Sequence, residues 1–142
     1  MGIQRVAVVG ASGYGGLQTL RLLNGHAAFD ITYLGGERSA GRSWSEICPF
    51  LPLADDLTVD SPDPDRIAAA ADFEVLSLPN GLASQLVPPL LERGVRVVDL
   101  SADYRYRSLD QWASVYVHEA RTHQRTDAEL CKQAVYGLPE WH

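Results

Sequence analysis

Apolar residues along this chain gather in short runs that alternate with periodic, half-polar segments. The runs are residues 3–9, ending in Val6-Ala7-Val8-Val9, then residues 29–34, residues 73–78 and residues 95–100. They read as strands, and the first is nearly continuous in apolar character, as in a parallel sheet covered on both faces. Helical patterns lie between them. Leu17, Leu20 and Leu22 or Leu23 set a buried stripe on a helix from Tyr14 to Asn24, closed by Gly25. Ser43 caps a short helix through Ile47, and Asp55 to Val59 forms a short strand. Asp63 helps to cap a helix from Asp65 to Ala71. Residues 82–92 are helical, but Pro88-Pro89 predicts a kink or a split, because each ring clashes with the preceding turn. After Arg107 the pattern weakens. Leu109, Trp112, Val115 and Tyr116 suggest a short helix, residues 118–129 are polar, and residues 134–140 read as an extended segment and a turn.

The punctuation carries the chemistry. The first strand runs into Gly10-Ala11-Ser12-Gly13-Tyr14-Gly15-Gly16 and then into the first helix. Glycines at 10, 13 and 16 allow a tight turn, a close approach of backbone to a ligand, and close packing of helix on strand. The unpaired N–H groups of the new helix favour an anion. Strand, glycine turn and helix predict an α/β fold of Rossmann-like kind, a doubly wound, mostly parallel sheet with helices on both faces, and a dinucleotide site at this turn. The spacing is Gly-x-x-Gly-x-x-Gly, with Ser12 where the usual fingerprint has its second glycine. A glycine-rich turn with no ligand is the plainer alternative.

After the second strand, Gly35-Gly36-Glu37-Arg38-Ser39 would meet the adenosine ribose. A carboxylate there suits a free 2′-hydroxyl, and an arginine suits a 2′-phosphate. Arg38 and Ser39 together favour NADP, since a guanidinium fork and a hydroxyl match phosphate; Glu37 argues mildly for NAD. The strand ending at Leu78 leads to Pro79-Asn80-Gly81, so Ser77, Pro79 and Asn80 face the same crevice as Gly13. Asn80 reads equally as a cofactor contact and as a turn that only starts the next helix. Asp103 reads as an ion-pair partner of Arg105 or Arg107, or as a residue that orients substrate.

Composition narrows the field. The 142 residues carry a formal charge of −6 and are 46% hydrophobic. No basic run suits nucleic acid or an anionic membrane, and no apolar run is long enough to span a bilayer. A strand begins almost at once, with no leader pattern, so the expected location is cytoplasmic. Cys48 and Cys131 form no metal or disulfide pattern and read as buried free thiols. His118 and His123 read as surface histidines, and no metal site is expected.

Five strings resemble one family. They are residues 10–16, Ser39-Ala40-Gly41, Leu78-Pro79-Asn80-Gly81, residues 98–105 (Val-Asp-Leu-Ser-Ala-Asp-Tyr-Arg), and Tyr136-Gly137-Leu138-Pro139-Glu140. In this order they resemble the amino-terminal, cofactor-binding part of the N-acetyl-gamma-glutamyl-phosphate reductase family. Gly15 stands where that family commonly has threonine, Asn80 where it has histidine, and Tyr104 where it has phenylalanine. The resemblance implies reduction of an acyl phosphate to a semialdehyde by NADPH, with release of phosphate, in arginine biosynthesis. A cysteine thiolate forms a thioester, which accepts hydride. That nucleophile follows an Asn-Pro-Gly motif beyond Glu140, and neither Cys48 nor Cys131 matches it. The expectation is therefore that residues 1–142 form an NADP-binding domain whose catalytic partner domain is absent. This chain alone would be inactive, with a homo-oligomer for the full-length form. On this reading Gly10, Ser12, Gly13, Tyr14, Gly15, Gly16, Arg38, Ser39, Ser77, Pro79 and Asn80 bind cofactor, and no catalytic residue is present. An aspartate-semialdehyde dehydrogenase-like domain and a non-catalytic nucleotide-binding domain are the alternatives.

Overall fold

A computed structural model describes residues 2–123, 125 and 127–137. Its centre is a five-stranded sheet in the order β3-β2-β1-β4-β5, with β1 at Gln4–Val9, β2 at Phe29–Gly35, β3 at Val59–Asp60, β4 at Phe73–Leu76 and β5 at Arg96–Asp99. Every pairing is parallel. The chain steps outward from β1 to β2 and β3, then crosses to β4 and β5. The order reverses beside β1, which makes the carboxyl end of that strand the place where a ligand fits.

Two apolar layers cover the sheet, as the sequence predicts. Val6 and Val8 face Leu20 of α1 (Tyr14–Leu23) and Trp44 of α2 (Trp44–Ile47). Ala7 and Val9 face Ile67 of α3 (Pro64–Ala70) and Val87 and Leu90 of α4 (Ala83–Glu92). Alternate residues of one strand thus feed opposite layers. The caps are where they were expected. Ser43 Oγ accepts the Glu46 N–H at 3.4 Å, and Asp63 Oδ1 accepts the Arg66 N–H at 2.9 Å. One irregularity sets the register. Val6 pairs with Ile31 and Ala7 with Tyr33, so Thr32 is an extra residue on β2. Its hydroxyl is spent on Ala70 O at 2.9 Å, and the shift brings Gly35 opposite Val9 at the crevice.

Several expectations need correction. Two strands, β4 and β5, end earlier at the ligand end than predicted, because the residues after them turn to make side-chain and main-chain contacts of their own. The strand expected at Asp55–Val59 keeps only Val59 and gains Asp60. Pro88 and Pro89 do not split α4, whose Ala83, Val87 and Leu90 are all buried on one face and hold it together. The polar stretch 118–129 is largely helical. After α5 (Leu109–Val115) come α6 (Val117–Thr122) and α7 (Ala128–Gln133), joined to the body by side-chain contacts rather than by an apolar stripe. Residues 134–137 follow without regular structure, and Leu138-Pro139-Glu140, part of the last matching string, lies outside the described residues. Cys48 and Cys131 are buried free thiols, as expected.

Candidate functional site

The β1–α1 turn holds four glycines with two different reasons to be glycine. Gly10 has φ +80°, and a Cβ there would lie 2.0 Å from Ser77 O. A Cβ on Gly16 would lie 2.2 Å from Gly10 O, and one on Gly15 would lie 2.4 Å from Ser77 Oγ. Gly10 and Gly16 are imposed by main-chain packing of the turn against β4 and of α1 against the turn, whereas Gly15 closely meets only the Ser77 hydroxyl, which can turn aside. Gly13 differs. Its backbone is ordinary, with φ −80°, and a Cβ would meet only Gly10 O, at 3.3 Å. A side chain at 13 asks only a few tenths of an ångström of Gly10 O, far less than at 10 or 16, so packing constrains this position least and a ligand that needs the space gives a second reason for glycine. The N–H groups of Ser12, Tyr14, Gly15 and Gly16 find no acceptor among the described residues. Four unused donors at the start of a ten-residue helix can receive an anionic group. Tyr14 is almost wholly exposed beside it.

Beyond β2, Glu37, Arg38 and Ser39 form a single 3-10 turn. Glu37 accepts a hydrogen bond from the Ser61 hydroxyl at 2.8 Å, which ties it to the loop after β3. Arg38 is exposed and has no ion-pair partner among the described residues. Ser39 is buried, and its Oγ has no hydrogen-bond partner among them. The orphaned hydroxyl and the unpaired guanidinium fit a 2′-phosphate, while the carboxylate that would suit a free ribose is already engaged.

Across the crevice, two turns lace together at the ends of β4 and β5. Asn80 Oδ1 accepts the Ala102 N–H at 2.9 Å, and Asp103 Oδ1 accepts the Gly81 N–H at 2.6 Å. Asp103 Oδ2 also takes the Ser84 N–H at 3.2 Å. Asp103 is wholly buried and caps α4 from a distant position, since Leu82 at the helix start offers no side-chain cap. The expected ion pair with Arg105 or Arg107 is therefore corrected. The Asp103 carboxylate is consumed by main-chain N–H groups, and Arg105 instead donates to Tyr116 Oη at 2.9 Å. Asn80 starts a turn, as one of its two readings had it, and its Nδ2 keeps donors that no described residue uses. Ser77 meets Gly15 directly, which brings the β4 end against the glycine turn. Pro79 is exposed at the rim.

A cavity of about 650 Å³ lies beside β5, lined in part by Val98, Leu100, Ser101, Tyr104, Arg105 and Tyr136. Leu100 also stands 3.7 Å from the Cβ position of Gly15, so the cavity and the glycine turn share a wall. Burial pushes the Asp99 carboxyl up at the cavity edge, against the two hydrogen bonds it accepts from Ser101. Burial likewise pushes up both cysteine thiols, so neither rests as a ready thiolate. His123 is half-buried, not at the surface. Its ring occupies the space a Gly81 side chain would need, 2.5 Å from that Cβ position. No cluster of metal-binding side chains occurs among the described residues.

The sequence profile of the family described as "Semialdehyde dehydrogenase, NAD binding domain" matches residues 5–142. The chain belongs to that family. Within the semialdehyde dehydrogenase family it is 71% identical over 137 residues to N-acetyl-gamma-glutamyl-phosphate reductase of Prochlorococcus marinus (strain MIT 9313), covering 96% of this chain and 38% of that protein. It is equally 71% identical to the Synechococcus sp. (strain CC9605) reductase of the same name, over 97% of this chain and 39% of that protein. The chain thus spans about two-fifths of the length of these curated relatives. It corresponds to the N-terminal, NAD(P)-binding part of that reductase group. Among solved structures, aspartate semialdehyde dehydrogenase with NADP from Candida albicans superposes with a TM-score of 0.63 at 25% identity, over 72% of this chain and 31% of that one. A Vibrio cholerae aspartate semialdehyde dehydrogenase shares the fold, with a TM-score of 0.59 at 24% identity. No helix among the described residues is long and apolar enough to cross a membrane.

Proposed function

We propose that residues 1–142 are the NADP-binding domain of a reductase that converts N-acetyl-glutamyl phosphate to its semialdehyde and releases phosphate, in arginine biosynthesis. The observation that carries the activity is the 71% identity to reductases of that name, across nearly the whole chain. The observation that carries the cofactor is local: Gly13 has an ordinary backbone and only one mild contact at its Cβ position, and it stands beside four unused N–H donors.

When bound, NADPH supplies hydride; the residues of this chain hold and orient it. The N–H groups of Ser12, Tyr14, Gly15 and Gly16 receive the pyrophosphate. Arg38 and Ser39 receive the 2′-phosphate. Ser77, Pro79 and the Asn80 amide border the nicotinamide half. Arg105, a guanidinium with no carboxylate partner among the described residues, stands at the cavity beside Tyr136, 5.6 Å from that ring. Its charge suits an anionic acyl phosphate arriving there. On this reading the nucleophile lies beyond Glu140, so residues 1–142 alone turn nothing over. The full-length protein is cytoplasmic and a homo-oligomer on this reading, which its mass in solution tests.

Calorimetric titration of this chain tests the cofactor assignment. NADPH should bind about tenfold more tightly than NADH, a difference of roughly 1.4 kcal/mol. Equal affinities would overturn the role of Arg38 and Ser39. Reductase turnover by this chain alone would overturn the placement of the nucleophile. An aspartate-semialdehyde dehydrogenase-like role rests on fold and 25% identity, and is the weaker reading. A chain that binds NADPH, paired with a full-length protein that reduces no acyl phosphate, would favour the non-catalytic nucleotide-binding domain.

A further inference from the structure

We propose that Arg125 is a positioning residue for the nicotinamide end of the crevice, acting through the Asp103 main chain on the Asn80–Gly81 turn. The inference rests on the cofactor reading above.

The side-chain hydrogen bonds that tie the two rim turns to each other are those of Asn80 and Asp103. The β5 turn needs an anchor of its own, and two side chains supply it from behind. Trp112 Nε1–H donates to Ala102 O at 3.0 Å, and an Arg125 Nη1–H donates to Asp103 O. Arg125 is built for this task. Its side chain is only 3% exposed, and Asp127, at 7%, grips it with bonds of 3.1 and 2.9 Å. The guanidinium carbon lies 4.8 Å from the Trp112 ring and 5.1 Å from the Tyr104 ring. A further N–H points to Cys131 Sγ at 3.4 Å.

Such a pair adds little net stability. Taking both charges out of water is costly, and apolar replacements of similar volume are often neutral or stabilising. What the pair does supply is a fixed donor at one carbonyl. A planar, five-donor fork held by a carboxylate on one edge and by aromatic faces can place an N–H at Asp103 O, where an apolar side chain cannot. The same segment reaches the other turn, since the His123 ring sits against Gly81. Residues 123 and 125 therefore brace both rim turns from behind, and through them the Asn80 amide. No hydrogen bond among the described residues joins this brace to the Glu37–Ser39 turn at the adenosine end.

That asymmetry provides the test. Dissociation constants are measured for NADPH and for adenosine 2′,5′-bisphosphate, which lacks the nicotinamide half. The proteins are the wild-type chain, Arg125→Lys, and the double variant Arg125→Met/Asp127→Leu, which leaves neither charge buried alone. The double variant should lose about tenfold in NADPH affinity while its affinity for the bisphosphate stays within about twofold. Arg125→Lys keeps a donor and a charge, and should show a smaller loss, about threefold, on NADPH alone. Unchanged NADPH affinity, or equal weakening of both ligands in either variant, overturns the role of Arg125. A wild-type chain that binds neither ligand overturns the cofactor reading first.

Discussion

The two sides of the crevice are held together by opposite means. On the β1–α1 side the turn is shaped by missing side chains: Gly10, Gly15 and Gly16 each leave room for a main-chain or side-chain atom that a Cβ would strike. On the β4–β5 side the turns are shaped by side chains, Asn80 and Asp103, each reaching across to an N–H of the other turn. The first solution is rigid because main-chain atoms touch, within the turn at Gly16 and against Ser77 at Gly10. The second joins residues about twenty positions apart, and it is as firm as the hydrogen bonds and the brace behind them. On the proposed reading, a cofactor lying across both would meet a fixed cradle at its phosphates and an adjustable rim at its reactive end.

Substitutions can break this contrast from either side. Gly10→Ala should have the largest effect. A Cβ 2.0 Å from Ser77 O at φ +80° cannot be relieved by side-chain motion, so a loss above about 4 kcal/mol is expected in denaturant unfolding. Asp103→Ala should follow, at about 3 kcal/mol, because the Gly81 and Ser84 N–H groups lose their acceptor in a buried place.

Glu74 supplies a baseline, since it lies below both turns. It is wholly buried on β4, has no hydrogen-bond partner among the described residues, and burial pushes its carboxyl up to about 8. A folded-state value above the unfolded one means that this contribution to stability is full below the unfolded value of about 4.5. It declines as pH rises towards 8. Glu74→Gln should remove that decline and raise stability near pH 7.5 by about 2 kcal/mol, as measured by unfolding at a series of pH values. It should leave NADPH affinity unchanged. Gly13→Val should have the smallest effect on stability, within about 1 kcal/mol, yet abolish NADPH binding in calorimetry. A large stability loss at Gly13 would erase the distinction between glycines required by packing and glycines that fit a ligand.

The same contrast explains what was legible in the sequence. Strands, layers and the glycine turn were readable, because apolar periodicity and glycine spacing are local signals. Ser77 does meet Gly10 and Gly15, and Leu100 joins that turn to the β5 cavity. Asp103 was noticed but given the wrong partners, because nearby arginines are obvious in sequence and a distant helix start is not. Arg125 and the helical character of residues 117–122 and 128–133 gave no periodic signal, since side-chain hydrogen bonds and ring contacts hold that region. Glu74 passed as one more position in a core strand. Coverage of both faces was predicted, but a single acid in Phe73-Glu74-Val75-Leu76 carries no signal that its carboxyl is buried without a partner among the described residues.

The position of β1 has a consequence for how the chain is made. It precedes the other four strands of the sheet in the chain, and it sits in the middle of that sheet, with Val6, Ala7, Val8 and Val9 all buried in the finished fold. Its neighbour β2 follows soon, but the partner on its other edge, β4, pairs Val6 with Phe73. A nascent chain therefore carries an apolar, half-paired strand until the residues of β4 have been made. Parallel pairings of this separation form slowly, and exposed edges of this composition attract other chains. Yield at high expression should depend on how quickly Phe73–Leu76 arrives to close that edge.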